Sequence, residues 1–225
     1  MELNAEFSER VVVHSDQIDW VASPMVGVDR RMLDRIGGEV ARATTIVRYA
    51  PNSVFSEHTH TGGEEFIVLD GVFSDEHGDY PVGSYIRNPP TSAHTPGSEP
   101  GCSIFVKLWQ FAPDDRTQVK IDMNKMEAIP AAGRAGVCVT PLFQDARETV
   151  RTEVWDAGAD VALELPKGGE FLVLDGEFDE GGDRLGKGGW LRLPEGGTLN
   201  AKAGPNGARI WMKLHHIPHA KPPAA

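Results

Sequence analysis

The sequence contains 225 residues, of which 40% are hydrophobic and 24% are charged, a composition typical of a globular protein with one large domain or two modest ones. Its 33 acidic and 22 basic residues give a net charge of −11, and no run of Lys or Arg exceeds the pair Arg30-Arg31. This pattern argues against binding to nucleic acid or to an anionic membrane, because both require clustered basic residues. No signal-peptide pattern opens the chain, and Cys102 and Cys138 are too few for a disulfide framework, so we expect a cytoplasmic protein.

The first predicted elements lie in an N-terminal extension over residues 1–40. At its end, VDRRMLDRIGGEVARATTIVRY predicts a β-hairpin with its turn at Gly37-Gly38. After the extension we expect a first β-domain over residues 41–112 and a polar connector over residues 113–130. A second β-domain over residues 131–218 and a short tail over residues 219–225 complete the predicted organisation.

The two predicted domains are copies of one unit. Residues 63–73 (GEEFIVLDGVF) match residues 168–178 (GGEFLVLDGEF) at an offset of 105, and the match continues from GSYIRNPP into GGWLRLPE. In both copies, short β-branched and aromatic segments are separated by Gly, Pro and Asp. Many short strands at regular spacing predict an all-β sandwich or barrel in each copy.

A candidate metal site lies in the first copy, in the stretch HTHTGGEEF. His58 and His60 are two residues apart, which places both imidazoles on one face of a strand. Strand alternation lets only one of Glu64 and Glu65 face them, and His94 offers a further ligand. Imidazole and carboxylate suit one divalent transition metal such as Fe, Zn, Mn or Ni, whereas surface-turn histidines are the alternative interpretation.

These residues resemble the cupin pattern. His58, His60, Glu64 and Gly71 fit its first motif, and its second motif is met by Gly83, Pro89 and His94. The departures are at scaffold positions of the motifs, namely Asn52, Thr91 and Ser98. The stretch is similar to the ChrR-like cupins, which include the C-terminal domain of the zinc-binding anti-sigma factor ChrR and relatives that cleave diketones or hydroxyketones with dioxygen. The resemblance implies a double-stranded β-helix, or jelly roll, in each copy, and therefore a bicupin.

The second copy identifies the ligand among the two glutamates. At the repeat offset, the four candidate ligands become Leu163, Leu165, Gly169 and Leu199. Glu65 instead persists as Glu170, in a copy without histidines to share a metal. We therefore predict that Glu64 is the ligand, that Glu65 is structural, and that the second unit is filled with leucine and metal-free.

Several other residues are ambiguous. One of Arg30, Arg31 and Arg48 could reach into the first barrel and bind an anionic substrate, although ion pairs with the many carboxylates are the favoured interpretation. Cys102 is either a sensor thiol or, as we favour, a small buried side chain. The histidines of HHIPH (residues 215–219) could take up nickel adventitiously but are not expected to form a functional site.

Three functions are compatible with the sequence. The first is a non-haem metal dioxygenase acting on a small diketone or hydroxyketone, for which no separate catalytic base is identified. The second is a zinc-binding regulatory or sensor cupin that lacks the helical anti-sigma domain. The third, a purely structural metal, is disfavoured because the second copy is built without ligands. The expected partner is a small molecule, and a homodimer is left open.

Overall fold

The computed structural model describes residues 1–38 and 40–223, and it is built almost wholly from β-strands, as predicted. The chain forms two compact units. The first comprises Met1–Ala5, Asp19–Lys125 and the described tail from Lys221, and the second comprises Glu6–Ile18 and Met126–Ala220. Two short 3-10 helices are Ser15–Gln17 and Ile217–His219. In the described part of the chain, no helix has the length and apolar character needed to span a membrane.

The strands are numbered along the chain. The second unit holds β2 (Val11–His14), and the other strands up to Asp122 belong to the first unit. These are β1 (Glu2–Leu3), β3 (Val21–Ala22), β4 (Val28–Gly37), β5 (Ala41–Tyr49), β6 (Ser53–Val54), β7 (His58–Thr59), β8 (Glu64–Asp75), β9 (Gly78–Pro81), β10 (Ser84–Asn88), β11 (Ala93–His94), β12 (Gly97–Ser98), β13 (Cys102–Leu108) and β14 (Val119–Asp122). The remaining strands of the second unit are β15 (Ile129–Pro130), β16 (Val137–Gln144), β17 (Thr149–Trp155), β18 (Asp160–Leu165), β19 (Gly169–Glu180), β20 (Asp183–Gly186), β21 (Gly189–Leu193) and β22 (Gly197–Leu214).

The first unit is organised around one antiparallel sheet in the order β1-β4-β5-β13-β8-β10-β14. Strands β4 and β5 pair antiparallel and approach each other at Gly37 and Ala41, as the predicted hairpin requires. Strands β7 and β11 form a separate two-stranded sheet. The inner face carries an apolar core that includes Val28, Val47 and Phe66.

The second unit repeats this arrangement in the order β15-β16-β17-β22-β19-β21-β2. The repeated glycine explains part of the shared sequence. Gly71 and Gly176 both have positive φ, and a Cβ at either would collide with the carbonyl oxygen of Gly101 or Gly207, respectively. Only glycine fits such a position, since it tolerates both the left-handed backbone and the close approach of a neighbouring strand.

The units have other boundaries than the predicted domains: residues 1–5 and 19–40 of the predicted extension join the first unit, and the predicted connector is divided between the two units. Strand β2 pairs with β21, so Glu6–Ile18 belongs to the second unit rather than to a separate extension. The ring of Phe7 lies 4.0 Å below the Arg192 guanidinium carbon, which anchors this segment. The predicted connector also contributes β14, which pairs with β10 and completes the sheet of the first unit.

Candidate metal centre

The four predicted ligands come together in the first unit. His58 and His94 are directly paired across β7 and β11, Glu64 opens β8, and His60 follows β7. One donor atom from each of the four residues lies within 4.8 Å of the donor atoms of the others. His60, Glu64 and His94 are buried, whereas His58 is exposed. The cluster is therefore reached from solvent on the side of His58 and is enclosed on the others.

The three imidazole rings form a compact triangle, with centroid separations of 4.6 to 5.0 Å. Each ring turns its Nδ1 outward to an oxygen of the protein. For His60 this oxygen is Ser92 Oγ at 3.0 Å, and for His94 it is Asp75 Oδ2 at 3.3 Å. Because the Ser92 hydroxyl itself donates to the carbonyl of Pro89, its oxygen accepts a hydrogen bond from the N–H at His60 Nδ1. Protons on Nδ1 leave the Nε2 lone pairs directed into the cluster.

The inward-facing imidazole nitrogen atoms favour a bound cation. His60 Nε2 and His94 Nε2 are buried without a hydrogen-bond partner among the described residues. They lie 3.3 and 3.6 Å, respectively, from Glu64 Oε2. Buried polar atoms without partners are costly, and two such nitrogen atoms that face a carboxylate oxygen would be stabilised by a shared metal ion. These residues therefore fit a divalent metal, and the cluster can hold one.

The protonation states also fit. Burial, followed by the neighbouring His94 and His58, lowers the pKa of His60 to about 3. Burial, followed by His58, lowers the pKa of His94, with Asp75 opposing the change. Burial raises the pKa of Glu64 to about 7, against the hydrogen bond from the Asn88 amide. Both buried histidines are neutral at physiological pH, as metal ligands must be, and only Glu64 has a proton to release.

Three residues of the site were not predicted from the sequence. Asp75 and Ser92 orient His94 and His60, and Asn88 Nδ2 donates to Glu64 Oε2 at 3.3 Å. Asn88 carried a signal, because the repeat replaces it with Leu193 in the copy that loses the ligands. Asp75 carried none of this kind, since its counterpart at the same offset is the equally acidic Glu180.

Glu65 and its counterpart Glu170 lie away from the cluster. Both are buried. Glu65 accepts a hydrogen bond from the Tyr85 hydroxyl at 2.5 Å, and Glu170 lies 2.7 Å from His216 Nε2. A structural partner for each matches the prediction that this glutamate serves the scaffold. It also accounts for His216 of the C-terminal HHIPH stretch, whose Nε2 faces this carboxylate.

The corresponding interior of the second unit is filled by hydrocarbon. Leu165 and Leu199 are fully buried there, and Leu163 packs against the same core. At Gly169, the counterpart of Glu64, an added Cβ would lie 2.8 Å from Leu214 Cδ2. A side chain at Gly169 would therefore meet Leu214, and the leucine side chains that line this interior are not metal ligands.

Cys102 behaves as a structural residue. Its side chain is buried within the apolar core of the first unit. Burial raises the pKa of its thiol to about 11, with Ser98 opposing and Asp70 adding to the change. A thiol held protonated reacts slowly with oxidants, which disfavours a sensor role.

Sequence comparison relates the segment that carries the cluster to a known family. The family model described as the ChrR Cupin-like domain matches residues 8–112. This match includes all four clustered residues. Comparison of the sequence with curated proteins gives no significant match.

Solved structures extend the likeness to the whole chain. A suspected dioxygenase from Nostoc punctiforme PCC 73102 aligns with a TM-score of 0.80 at 16% identity, covering 92% of this chain and 82% of that one. A cupin 2 conserved barrel domain protein from Leptotrichia buccalis aligns with a TM-score of 0.63 at 9% identity, covering 95% and 99%. The pirin YhhW of Escherichia coli, solved with nickel(II), gives 0.67 at 8% identity, with coverage of 92% and 99%. At these identities the likeness establishes a cupin fold alone.

Proposed function

We propose that the protein is a bicupin whose first jelly roll binds one divalent metal ion and cleaves a small diketone or hydroxyketone with dioxygen. The observation that carries the proposal is the convergence of His60 Nε2, His94 Nε2 and Glu64 Oε2, with His58 on the solvent side. Three histidines and one carboxylate leave positions open on an octahedral ion, enough for a bidentate oxygen donor.

The bicupin assignment is supported by the matching strand orders. In the first unit the central strands follow the order β4-β5-β13-β8-β10, and in the second they follow β16-β17-β22-β19-β21. The sequence repeat aligns β8 with β19 and β10 with β21. Two copies of one jelly roll, of which only the first keeps metal ligands, account for both observations.

The residues around the cluster have separate tasks in this proposal. A bound iron or manganese ion would supply Lewis acidity and access to dioxygen chemistry. Asp75 and Ser92 hold two imidazoles in the protonation state that presents Nε2 inward. Phe73, whose ring centroid lies 5.7 Å from that of His94, forms part of an apolar wall that limits water. Cleavage of pentane-2,4-dione by one dioxygen yields acetic acid and methylglyoxal, so all atoms are accounted for without a further reductant.

A zinc-binding regulatory cupin is the second candidate, and the ChrR cupin-like match favours it. The same four ligands can close a tetrahedral zinc site with no open position. Such a site would bind metal tightly but would not chelate a dicarbonyl compound.

Elemental analysis of protein purified anaerobically, without an affinity metal, tests the proposal. Wild type is compared with His94→Ala, and His77→Ala is the control because the His77 side chain is exposed and is not one of the four clustered residues. We expect about one iron or manganese per chain, lost in His94→Ala only, and dioxygen uptake with a diketone or hydroxyketone. One tightly held zinc without dioxygen uptake would favour the regulatory candidate. Metal retained by His94→Ala would mean that the site is elsewhere.

A further inference from the structure

A series of hydrogen bonds, which we call the relay, connects the metal cluster to the surface of the first unit. His94 Nδ1 lies 3.3 Å from Asp75 Oδ2, and Asp75 Oδ1 accepts a hydrogen bond from the Tyr80 hydroxyl at 3.1 Å. Lys120 Nζ donates to the Tyr80 oxygen at 2.7 Å. His94 and Tyr80 are buried and the Asp75 side chain is 6% exposed, whereas Lys120 is exposed. The relay therefore passes through buried groups and ends at a positive charge in solvent.

The ammonium group fixes the direction of the hydrogen bonds in the relay. Lys120 Nζ has donors only, so the Tyr80 oxygen accepts from it and the Tyr80 hydroxyl donates to Asp75. Burial, followed by the charge of Asp75, raises the pKa of Tyr80, which keeps its hydroxyl a donor. A carboxylate has acceptors only and therefore accepts a hydrogen bond from the N–H at His94 Nδ1. The relay thus favours the tautomer in which the His94 Nε2 lone pair faces the cluster.

Tyr80 is the one polar partner of Lys120 in the part of the chain that the structure describes. Lys120 Nζ makes no other hydrogen bond and no ion pair with these residues. It also lies 5.2 Å from the centroid of the Tyr80 ring. Lys125, by contrast, forms an exposed ion pair with Asp122 at 3.0 Å. The contacts of Lys120 are therefore directed at a buried hydroxyl rather than at a surface carboxylate.

Leucine takes the place of Tyr80 in the unit without metal ligands. Tyr80 of the β8–β9 pair and Leu185 of the β19–β20 pair have the same position in the strand register. At the repeat offset, His94 likewise becomes Leu199. Leu185 and Leu199 both belong to the apolar core of the second unit. The phenolic hydroxyl is thus replaced together with the histidine at the other end of the relay.

Valine takes the place of Lys120. Strand β14 pairs with β10, where Lys120 lies opposite Ile86. The repeat counterpart of Ile86 is Leu191, which lies opposite Val12 where β2 pairs with β21. Val12 packs against the leucine-filled core. A lysine therefore occupies this strand position in the unit with the four clustered ligands, and an apolar residue occupies it in the other unit.

The acidic residue of the relay persists in the second unit but has another partner. Glu180, the counterpart of Asp75, accepts hydrogen bonds from Arg10 Nε and Nη2 at 3.0 and 2.8 Å. A guanidinium group thus balances its charge directly. Within the described residues, no lysine or arginine forms an ion pair with Asp75, and positive charge reaches it through Tyr80. This arrangement leaves Asp75 Oδ2 available to His94.

We propose that Tyr80 and Lys120 are positioning residues of the metal centre, which hold the Asp75 carboxylate in place so that His94 presents Nε2 to a bound divalent ion. A surface lysine thereby contributes to the affinity for a metal that it does not touch. This inference rests on the metal site of the proposed function. It does not depend on the reaction, so it applies equally to the dioxygenase and to the zinc-binding candidate.

Competition between the metal-stripped protein and a chromogenic chelator for Zn²⁺ tests the inference. We expect Tyr80→Phe to lower Zn²⁺ affinity by about tenfold and Lys120→Met by about threefold to tenfold, because both act on a ligand through its outer-shell partner. Lys120→Arg keeps a donor without an acceptor and should stay within about twofold of wild type. Lys125→Met is the matched control and should leave the affinity unchanged, since Lys125 pairs with Asp122 outside the relay.

A double-mutant cycle distinguishes this role from a structural one. Asp75→Asn alone should weaken Zn²⁺ binding. Adding Lys120→Met to it should cost less than about a further twofold, because the relay is already interrupted at Asp75. If the two losses instead multiply, Lys120 does not act through Asp75 and the inference is wrong.

The remaining outcomes separate this inference from the proposed function. Urea unfolding of the metal-free variants measures any effect on the fold. A loss of stability in Lys120→Met with unchanged Zn²⁺ affinity would identify a structural contact and contradict the inference. If Tyr80→Phe and Lys120→Met both bind Zn²⁺ as wild type does, the inference fails while the metal site stands. If wild type itself binds no Zn²⁺ at micromolar concentration, the metal site of the proposed function and the inference fail together.

Discussion

The two units of this protein share a scaffold but differ in what fills it. Gly71 and Gly176 each accommodate a neighbouring strand that leaves no space for a side chain. In contrast, the interior positions occupied by histidines in the first unit are leucines in the second, of which Leu165 and Leu199 are fully buried. The same order of central strands is therefore compatible with either interior, which separates residues needed for the fold from residues that could serve chemistry.

Charged residues on the outer face of the two sheets show the same distinction between residues needed for the fold and residues that could serve chemistry. Glu65 pairs across the strands with Arg87 and Lys107. The second unit repeats this row, in which Glu170 pairs with Arg192 and Lys213. All six side chains are buried. A carboxylate between two cations on adjacent strands favours one register, and its presence in both units assigns it to the fold rather than to metal binding.

Substitutions of interior residues should lower the free energy of unfolding more in the second unit than in the first. Leu165→Ala should lower the free energy of unfolding by about 2–5 kcal/mol, since it opens a cavity in a packed core. His60→Leu, at the corresponding position of the first unit, should leave the metal-free protein equally stable or more stable. It removes a buried nitrogen without a partner, which costs about 1–3 kcal/mol.

Urea unfolding of the metal-free variants, followed by tryptophan fluorescence, measures both effects. The buried Trp155, Trp190 and Trp211 report on the second unit, and Trp20 and Trp109 report on the first. Leu163→Ala serves as a control and should cost less than Leu165→Ala, because Leu163 is only partly buried. A large loss of metal-free stability in His60→Leu would show instead that the imidazole supports the fold.

Substitution of Asp75 tests a more specific and smaller effect, the orientation of His94 in the first unit. Its Oδ1 accepts hydrogen bonds from His77 N and the Tyr80 hydroxyl, and its Oδ2 faces His94 Nδ1. Asp75→Asn can keep the first two contacts while losing the carboxylate opposite His94. We expect metal affinity, measured by competition with a chelator, to fall about tenfold to a hundredfold.

The control for this variant is Asp79→Asn, because Asp79 is exposed and accepts from Ser74 rather than from a histidine. It should leave metal affinity unchanged. Equal affinities for Asp75→Asn and wild type would mean that the orientation of His94 is fixed by packing alone, for example by Phe73.

Groupings of residues that are close in sequence could be predicted, whereas contacts between strands that are distant in sequence could not. The clustered residues could be predicted because His58, His60 and Glu64 lie within one short stretch and because the repeat shows which residues the second copy loses together. The contact between Asp75 and His94 depends on pairing between strands distant in sequence, which spacing does not specify. For the same reason, the four residues of β2 carried no sign that they pair with β21 in the second unit.

The pH dependence of metal binding should distinguish the buried imidazole of His60 from the buried carboxylate of Glu64. Burial lowers the pKa of His60 to about 3 and raises that of Glu64 to about 7, because both groups lose water and the charged form is disfavoured in each case. The metal requires neutral imidazole and ionised carboxylate. His60 therefore meets this requirement at all pH values above about 3, whereas Glu64 meets it only above about 7. Metal affinity should accordingly be full at high pH and fall as the pH decreases through 7.

Comparison of wild type with Glu64→Gln isolates this carboxyl group, since Gln cannot be protonated in this range. At pH 8 the variant should bind more weakly, and below pH 7 the wild-type affinity should fall more steeply than that of the variant by about one power of ten per pH unit. Chelator competition between pH 5.5 and 8 provides the measurement. Parallel curves for the two proteins would mean that Glu64 is already ionised in the metal-free cluster. A neighbouring imidazole would then be protonated and would balance the charge of Glu64.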